Sequence, residues 1–181
     1  SRPNDGFMIK RSTADESSGE EHGRISFFSM DTNTIFPPKL EFAWDDSSFS
    51  TGSLSELEAE DKIVYFKNLR REYVDGERVR FRIVGRERYP SRSYTTTLQS
   101  LDTNYLPTSS YYAVKDAHTD DFVIPFDTSY TKISCDSSGS FFDIRTDGLQ
   151  PNRYFRLIVK TERNGLIDIY DDGFFFKINK N

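Results

Sequence analysis

The chain has 181 residues and a formal net charge of −5, with 35% hydrophobic and 15% aromatic residues, sixteen of them Phe and ten Tyr. An acidic chain of this kind has no general affinity for DNA or anionic membranes, and no apolar run approaches the roughly twenty residues of a membrane-spanning helix. Rings rather than aliphatics must carry the core: each buried ring removes ~150–250 Å² from water, and rings favour strands over helices.

The start, Ser1-Arg2-Pro3-Asn4-Asp5, has neither an initiator Met nor a signal-peptide pattern, so further sequence is expected upstream. Gly6–Lys10 is a short apolar run, and Ser12–Gly23 is a polar, charged loop. Arg24–Met30 reads as a strand, and Lys39–Trp44 alternates with the period of two that marks a half-buried strand. Three strands in about 44 residues are too few for a stable sandwich. Residues 1–46 are therefore expected to be the closing strands of a truncated β-sandwich, with 47–60 as a linker. Within that linker Leu54–Glu60, with Ser53 as a possible N-cap, offers either two turns of helix or an acidic connector.

A second block runs over 61–181. Ile63–Phe66 reads as a strand, and Asp75-Gly76 is a turn signal. Arg78–Ile83 is the clearest alternation in the chain: Val79, Phe81 and Ile83 face one way, Arg78, Arg80 and Arg82 the other. Further strands are expected at Tyr111–Val114, Phe122–Ile124, Thr131–Cys135, Phe141–Arg145, Tyr154–Lys160, Leu166–Tyr170 and Phe174–Ile178. Turn signals separate them, among them Asp147-Gly148, Asn164-Gly165 and Asp171-Asp172-Gly173. Many short strands at even spacing predict an all-β fold, an immunoglobulin-like antiparallel sandwich over 61–181. Leu149-x-Pro151-x-x-Tyr154 resembles the corner of fibronectin type III domains, where a Tyr anchors the preceding turn.

Signals for chemistry are weak. His118 lies in Asp116-Ala117-His118-Thr119-Asp120-Asp121, where a metal site is conceivable but an exposed hairpin turn is the plainer reading. The doublets Asp45-Asp46, Asp120-Asp121 and Asp171-Asp172 do not supply two carboxylates facing across a cleft, because adjacent strand residues point to opposite faces. Calcium binding at Asp171 and Asp172, or at Asp136 and Ser138, lacks the full EF-hand pattern. Cys135, the single cysteine, reads as a buried structural thiol and fits a reducing compartment. No catalytic residue, metal or cofactor is assigned, and the chain is read as a non-enzyme.

One feature rises above this background. Lys62–Arg92 holds ten basic and four acidic residues, a local +6 against −11 for the remainder. The candidate docking face is Arg78, Arg80, Arg82, Arg86 and Arg88. It is read either as arginines paired with acidic neighbours across strands or as a basic face for an acidic partner surface. Exposed Tyr94, Tyr105, Tyr111 or Tyr112 offers an alternative, stacking on sugars.

Long stretches carry a resemblance. Gly6-Phe7-Met8-Ile9-Lys10-Arg11-Ser12, Phe28-Ser29-Met30-Asp31-Thr32-Asn33-Thr34-Ile35-Phe36-Pro37-Pro38-Lys39-Leu40-Glu41 and Trp44-Asp45-Asp46-Ser47 resemble a virion structural protein of contractile-tailed phages of marine bacteria, cyanobacteria especially. So do Val84-Gly85-Arg86-Glu87-Arg88-Tyr89-Pro90, the run from Tyr105 to Ala117, and Tyr130-Thr131-Lys132-Ile133-Ser134-Cys135-Asp136. The resemblance implies a jelly-roll sandwich of the DNRLRE type upstream, whose closing strands Phe27-Phe28-Ser29 and Pro38-Lys39-Leu40-Glu41-Phe42 would match. It also implies a place in the virion, assembled in the host cytoplasm, with other virion proteins as partners in a homo- or hetero-oligomer. Host-surface glycans are the alternative ligand; neither nucleic acid nor membrane is expected.

Overall fold

The computed structural model describes residues 12–20, 26, 27, 29, 44–91, 94 and 103–180. The chain divides into two compact units, Ser1–Phe42 and Ala43–Asn181. In the first, the described residues include one short helix, α1 (Thr13–Ser17), inside the stretch read as a loop. Ser12 caps it, its Oγ accepting from the Asp15 N–H at 3.2 Å. The strand expected over 6–10, all of that over 39–44 except Trp44, and all of that over 24–30 except residues 26, 27 and 29 lie outside the described residues.

The second unit is a two-sheet β-sandwich. Its strands in chain order are β1 (Ser55–Glu56), β2 (Lys62–Phe66), β3 (Glu72–Val74), β4 (Arg78–Glu87), β5 (Asn104–Tyr105) and β6 (Ser110–Asp116). They continue with β7 (Phe122–Ile124), β8 (Ser134–Asp136), β9 (Gly139–Arg145), β10 (Tyr154–Arg163) and β11 (Leu166–Asn179). One sheet runs β2-β4-β9-β8, with β5 and β1 added past the end of β9; the other runs β3-β11-β10-β6-β7. Among the described residues all pairings between these strands are antiparallel except β1 with β5 and β3 with β11. This is immunoglobulin strand order, A-B-E-D facing G-F-C-C′. Its first strand is split, β2 joining one sheet and β3 the other.

The alternation in β4 places Val79, Phe81 and Ile83 in the core, as the sequence predicts. Phe81, 2% exposed, stacks on Phe142 at 5.3 Å between ring centroids and meets Tyr73 and Phe176 of the facing sheet at 5.4 and 5.6 Å. Close aromatic pairs of this kind add about 0.5–1.5 kcal/mol each to area burial. Gly85 continues the inward row. A Cβ there would sit 2.6 Å from Leu57 Cδ2 and 2.9 Å from Leu106 Cδ2, so two leucines use the space a side chain would need.

Four expectations are corrected. Residues 47–60 are not a free linker: Leu57 is buried, Phe49 bridges Cys135, and β1 pairs β5. Leu54–Glu60 accordingly forms no helix; the Leu57 N–H donates to the Tyr105 carbonyl at 2.9 Å instead. Asp171-Asp172-Gly173 does not separate two strands but forms a bulge within β11. Its three residues oppose the single Ile158, and Gly173 takes a φ of +74° that a side chain would resist. Tyr154 is 58% exposed and anchors no corner. The turn is tied instead by buried Thr146, whose Oγ1 donates to the Val74 carbonyl at 2.7 Å and accepts from the Glu77 N–H at 2.8 Å.

Candidate docking surfaces

The even-numbered positions of β4 point outward, so Arg78, Arg80, Arg82 and Arg86 share one side of the sheet, while Arg88 lies in the bend just after the strand. Cross-strand register sets Arg80 opposite Asp143 and Arg82 opposite Phe141 on β9. The Arg80 guanidinium grips both Asp143 oxygens at 2.8 and 3.0 Å, and Arg78 adds a third contact at 3.0 Å. Arg82 makes two parallel bonds of 2.8 Å to Asp136. Arg80 and Arg82 both lie over the Phe141 ring, 4.1 and 5.4 Å from its centroid. Hydrogen bonds from these arginines hold the Asp136 and Asp143 carboxyls below the usual carboxylate range.

At the far end of β4 Arg86 donates to the Glu87 carbonyl at 3.0 Å, and just past the strand Arg88 pairs with Asp61 at 2.7 Å. Four of the five arginines therefore meet carboxylates of the module itself, three carboxylates in all, with Arg78 and Arg80 sharing Asp143. These partners come from β9, β8 and the residue before β2, none of which a reading of β4 alone identifies.

Beside this ladder is a small cleft of about 150 Å³, where Asp46, Ser48, Lys132 and Ser134 meet Tyr112 and Asp143. The Tyr112 ring is buried, stacked on Phe142 at 4.0 Å. Burial, together with the Asp46 and Asp143 carboxylates, pushes its hydroxyl up to about 12. The cleft lies below the ~300–1,000 Å³ typical of small-molecule sites, and its strongest charges already satisfy one another.

His118 is exposed in a tight turn. Its N–H donates to Asp116 Oδ1 at 2.8 Å, as does that of Thr119 at 3.2 Å. The His118 N–H first, then Arg153 and the Thr119 N–H, hold the Asp116 carboxyl below its ordinary value. Among the described residues no group of three or more His, Cys, Asp or Glu side chains is placed to hold a metal ion. Of the acidic doublets, Asp45 accepts from the Ser47 N–H and hydroxyl at 2.9 and 2.6 Å, Asp120 pairs with Lys115 at 3.3 Å, and Asp171 pairs with Arg156 at 3.3 Å. Cys135 is buried, which pushes its thiol up.

The surface that sequence reading missed is β11. Leu166, Ile167 and Ile169 are 67%, 58% and 61% exposed. One edge of the strand pairs with β10, while β3 covers the other only at Lys177–Asn179. Among the described residues no strand pairs with that second edge over Leu166–Phe176. The apolar run Leu166-Ile167-x-Ile169 next to a hairpin turn was the available signal, but periodicity alone cannot tell a buried strand from a bare one. No protein-family model, no curated protein and no solved structure matches this chain.

Proposed function

We propose that this chain is a structural component of a phage virion that acts by docking to other virion proteins and performs no chemistry. The observation that supports docking is the edge of β11 over Leu166–Phe176, which no strand covers among the described residues and which lies beside exposed Ile167 and Ile169, since long uncovered edges are sites of strand pairing with another chain. The assignment to a virion follows the sequence resemblance over most of the chain. Glycan recognition is supported less well: of the four tyrosines expected to stack on sugars, Tyr111 and Tyr112 are buried and Tyr105 is half-buried, which leaves Tyr94 exposed.

Mass spectrometry of purified virions of the encoding phage tests this reading. The chain is expected among the particle proteins, at a copy number matching a symmetric assembly. Its absence from intact particles would sink the proposal.

A further inference from the structure

At one end of the second sheet the turn after β6 meets the turn before β10. The Ala117 N–H donates to the Tyr154 carbonyl at 2.9 Å, and Arg153 donates to Asp116 Oδ2. The second turn is also stitched to β11: the Asn152 N–H donates to the Ile178 carbonyl at 2.7 Å, and the Ile178 N–H to the Arg153 carbonyl at 3.1 Å. Bonds on both sides thus fix Asn152, Arg153 and Tyr154 in advance, so little ordering cost remains for binding.

These turns bound an open cleft of about 540 Å³, lined by Asp116, His118, Asn152, Arg153, Tyr154 and Phe175. That volume lies within the ~300–1,000 Å³ of ligand sites. Tyr154 is opposite Lys177 and Phe175 opposite Arg156, so the two rings sit two residues apart in register on the outer face of paired strands. They are 58% and 46% exposed. Lys177 Nζ stands at the rim, 5.9 Å from the Tyr154 ring centroid, at the limit of a cation–π contact. Among the described residues the Asn152 amide, the His118 imidazole and the Tyr154 hydroxyl make no hydrogen bond. Arg153 keeps further N–H donors beyond the one that Asp116 holds.

This chemistry selects a class of ligand. The negative face of an aromatic ring suits the C–H face of a sugar, and amide and hydroxyl groups that both donate and accept suit sugar hydroxyls. Arg153 and buried Asp116 cancel one another, so the lining offers little to an ionic ligand. A peptide strand has no edge to pair with here, because β10 is flanked by β6 and β11, and β11 by β3 at Lys177.

We propose that this cleft binds a neutral pyranose of a saccharide, stacked on Tyr154 and Phe175, with its hydroxyls held by Asn152, His118 and Arg153. None of the tyrosines singled out in the sequence takes part. The proposal goes beyond the docking reading and does not depend on it: one face of the module can dock while another holds a sugar.

A glycan array of neutral and carboxylated saccharides, probed with the full chain, tests it, followed by saturation-transfer NMR on the neutral glycan that binds best. Binding of neutral glycans is expected, with no gain from a carboxylate. Tyr154→Ala should weaken that binding by about tenfold or more with the thermal transition unchanged. Tyr154→Phe, which keeps the ring, should retain most of it, and His118→Ala, at an exposed position, should lose several-fold. No binding to any neutral glycan, tighter binding of carboxylated ones, or binding that Tyr154→Ala leaves intact would overturn the proposal. So would a Tyr154→Ala chain that binds as the parent does to the array yet fails to enter virions, because the cleft would then belong to a protein partner. The array and the virion census are independent: either can fail while the other succeeds.

Discussion

Arg82 on β4 reaches across the whole of strand β9 to clasp Asp136 on β8, with two hydrogen bonds of 2.8 Å and the Phe141 ring beneath its guanidinium. One side chain thus ties three strands of the sheet. Bidentate Arg–carboxylate pairs are the ion pairs whose geometry gives them more weight than ordinary surface pairs.

That pair predicts an acid-sensitive fold. Arg82 holds the Asp136 carboxyl, and Arg80 the Asp143 carboxyl, below the ordinary value. A carboxyl depressed in the folded state contributes stability that is present above its unfolded pKa, about 3.9, and lost as pH falls through the lower folded value. Melting temperature should therefore decline below about pH 4. Arg82→Met should flatten that decline by removing the cause of the Asp136 shift. An unchanged pH profile in Arg82→Met would show that Arg82 does not set it.

Neighbours on β4 should behave oppositely. Phe81→Ala empties the centre of the aromatic cluster and should cost about 3–5 kcal/mol in urea unfolding. Arg80→Glu sets a carboxylate beside Asp143 on the outer face and should cost about 1 kcal/mol or less, discounted for solvent screening. Equal losses in the two variants would mean the faces are assigned the wrong way round.

Thr146 is the tie between the turn after β9 and the turn before β4. Thr146→Val keeps the shape but deletes the hydroxyl, leaving the Val74 carbonyl and the Glu77 N–H without it. A loss of about 1–3 kcal/mol is expected, whereas Tyr154→Ala, at an exposed position, should be within about 0.5 kcal/mol of the parent. Chemical denaturation of the two variants checks this, and the reverse order would restore the tyrosine corner.

Gly85→Val should be harder to accommodate than Gly85→Ala. The alanine methyl displaces the tips of Leu57 and Leu106, while the branched side chain overfills the same space, at about 1–3 kcal/mol or more. Leu57→Ala combined with Gly85→Val should recover part of the loss, and additive losses in the double variant would contradict the shared cavity.

Much of the sandwich was legible before the structure. Alternation located β4 and its two faces, and apolar runs bounded by Asp, Asn and Gly located the strands from β6 onward. The errors have physical causes. Asp171-Asp172-Gly173 has turn chemistry, but residues that make turns also make bulges, and only the continued pairing of Phe174 with Leu157 distinguishes them. Leu54–Glu60 suits a helix by propensity, yet the buried packing of Leu57 against Gly85 overrides it. Tyr154 has the spacing of a corner residue, but Phe155 turns inward and leaves Tyr154 outside.

What sequence alone determined is the set of strands and the face each buries, because that information repeats every two residues and is local. What only the tertiary structure decided is which groups meet. The carboxylates that neutralise Arg80 and Arg82 lie 63 and 54 residues away. The bare edge of β11 exists because β3 covers only its last three paired residues. Both are consequences of strand order and strand length in the assembled sheets, which no local pattern encodes.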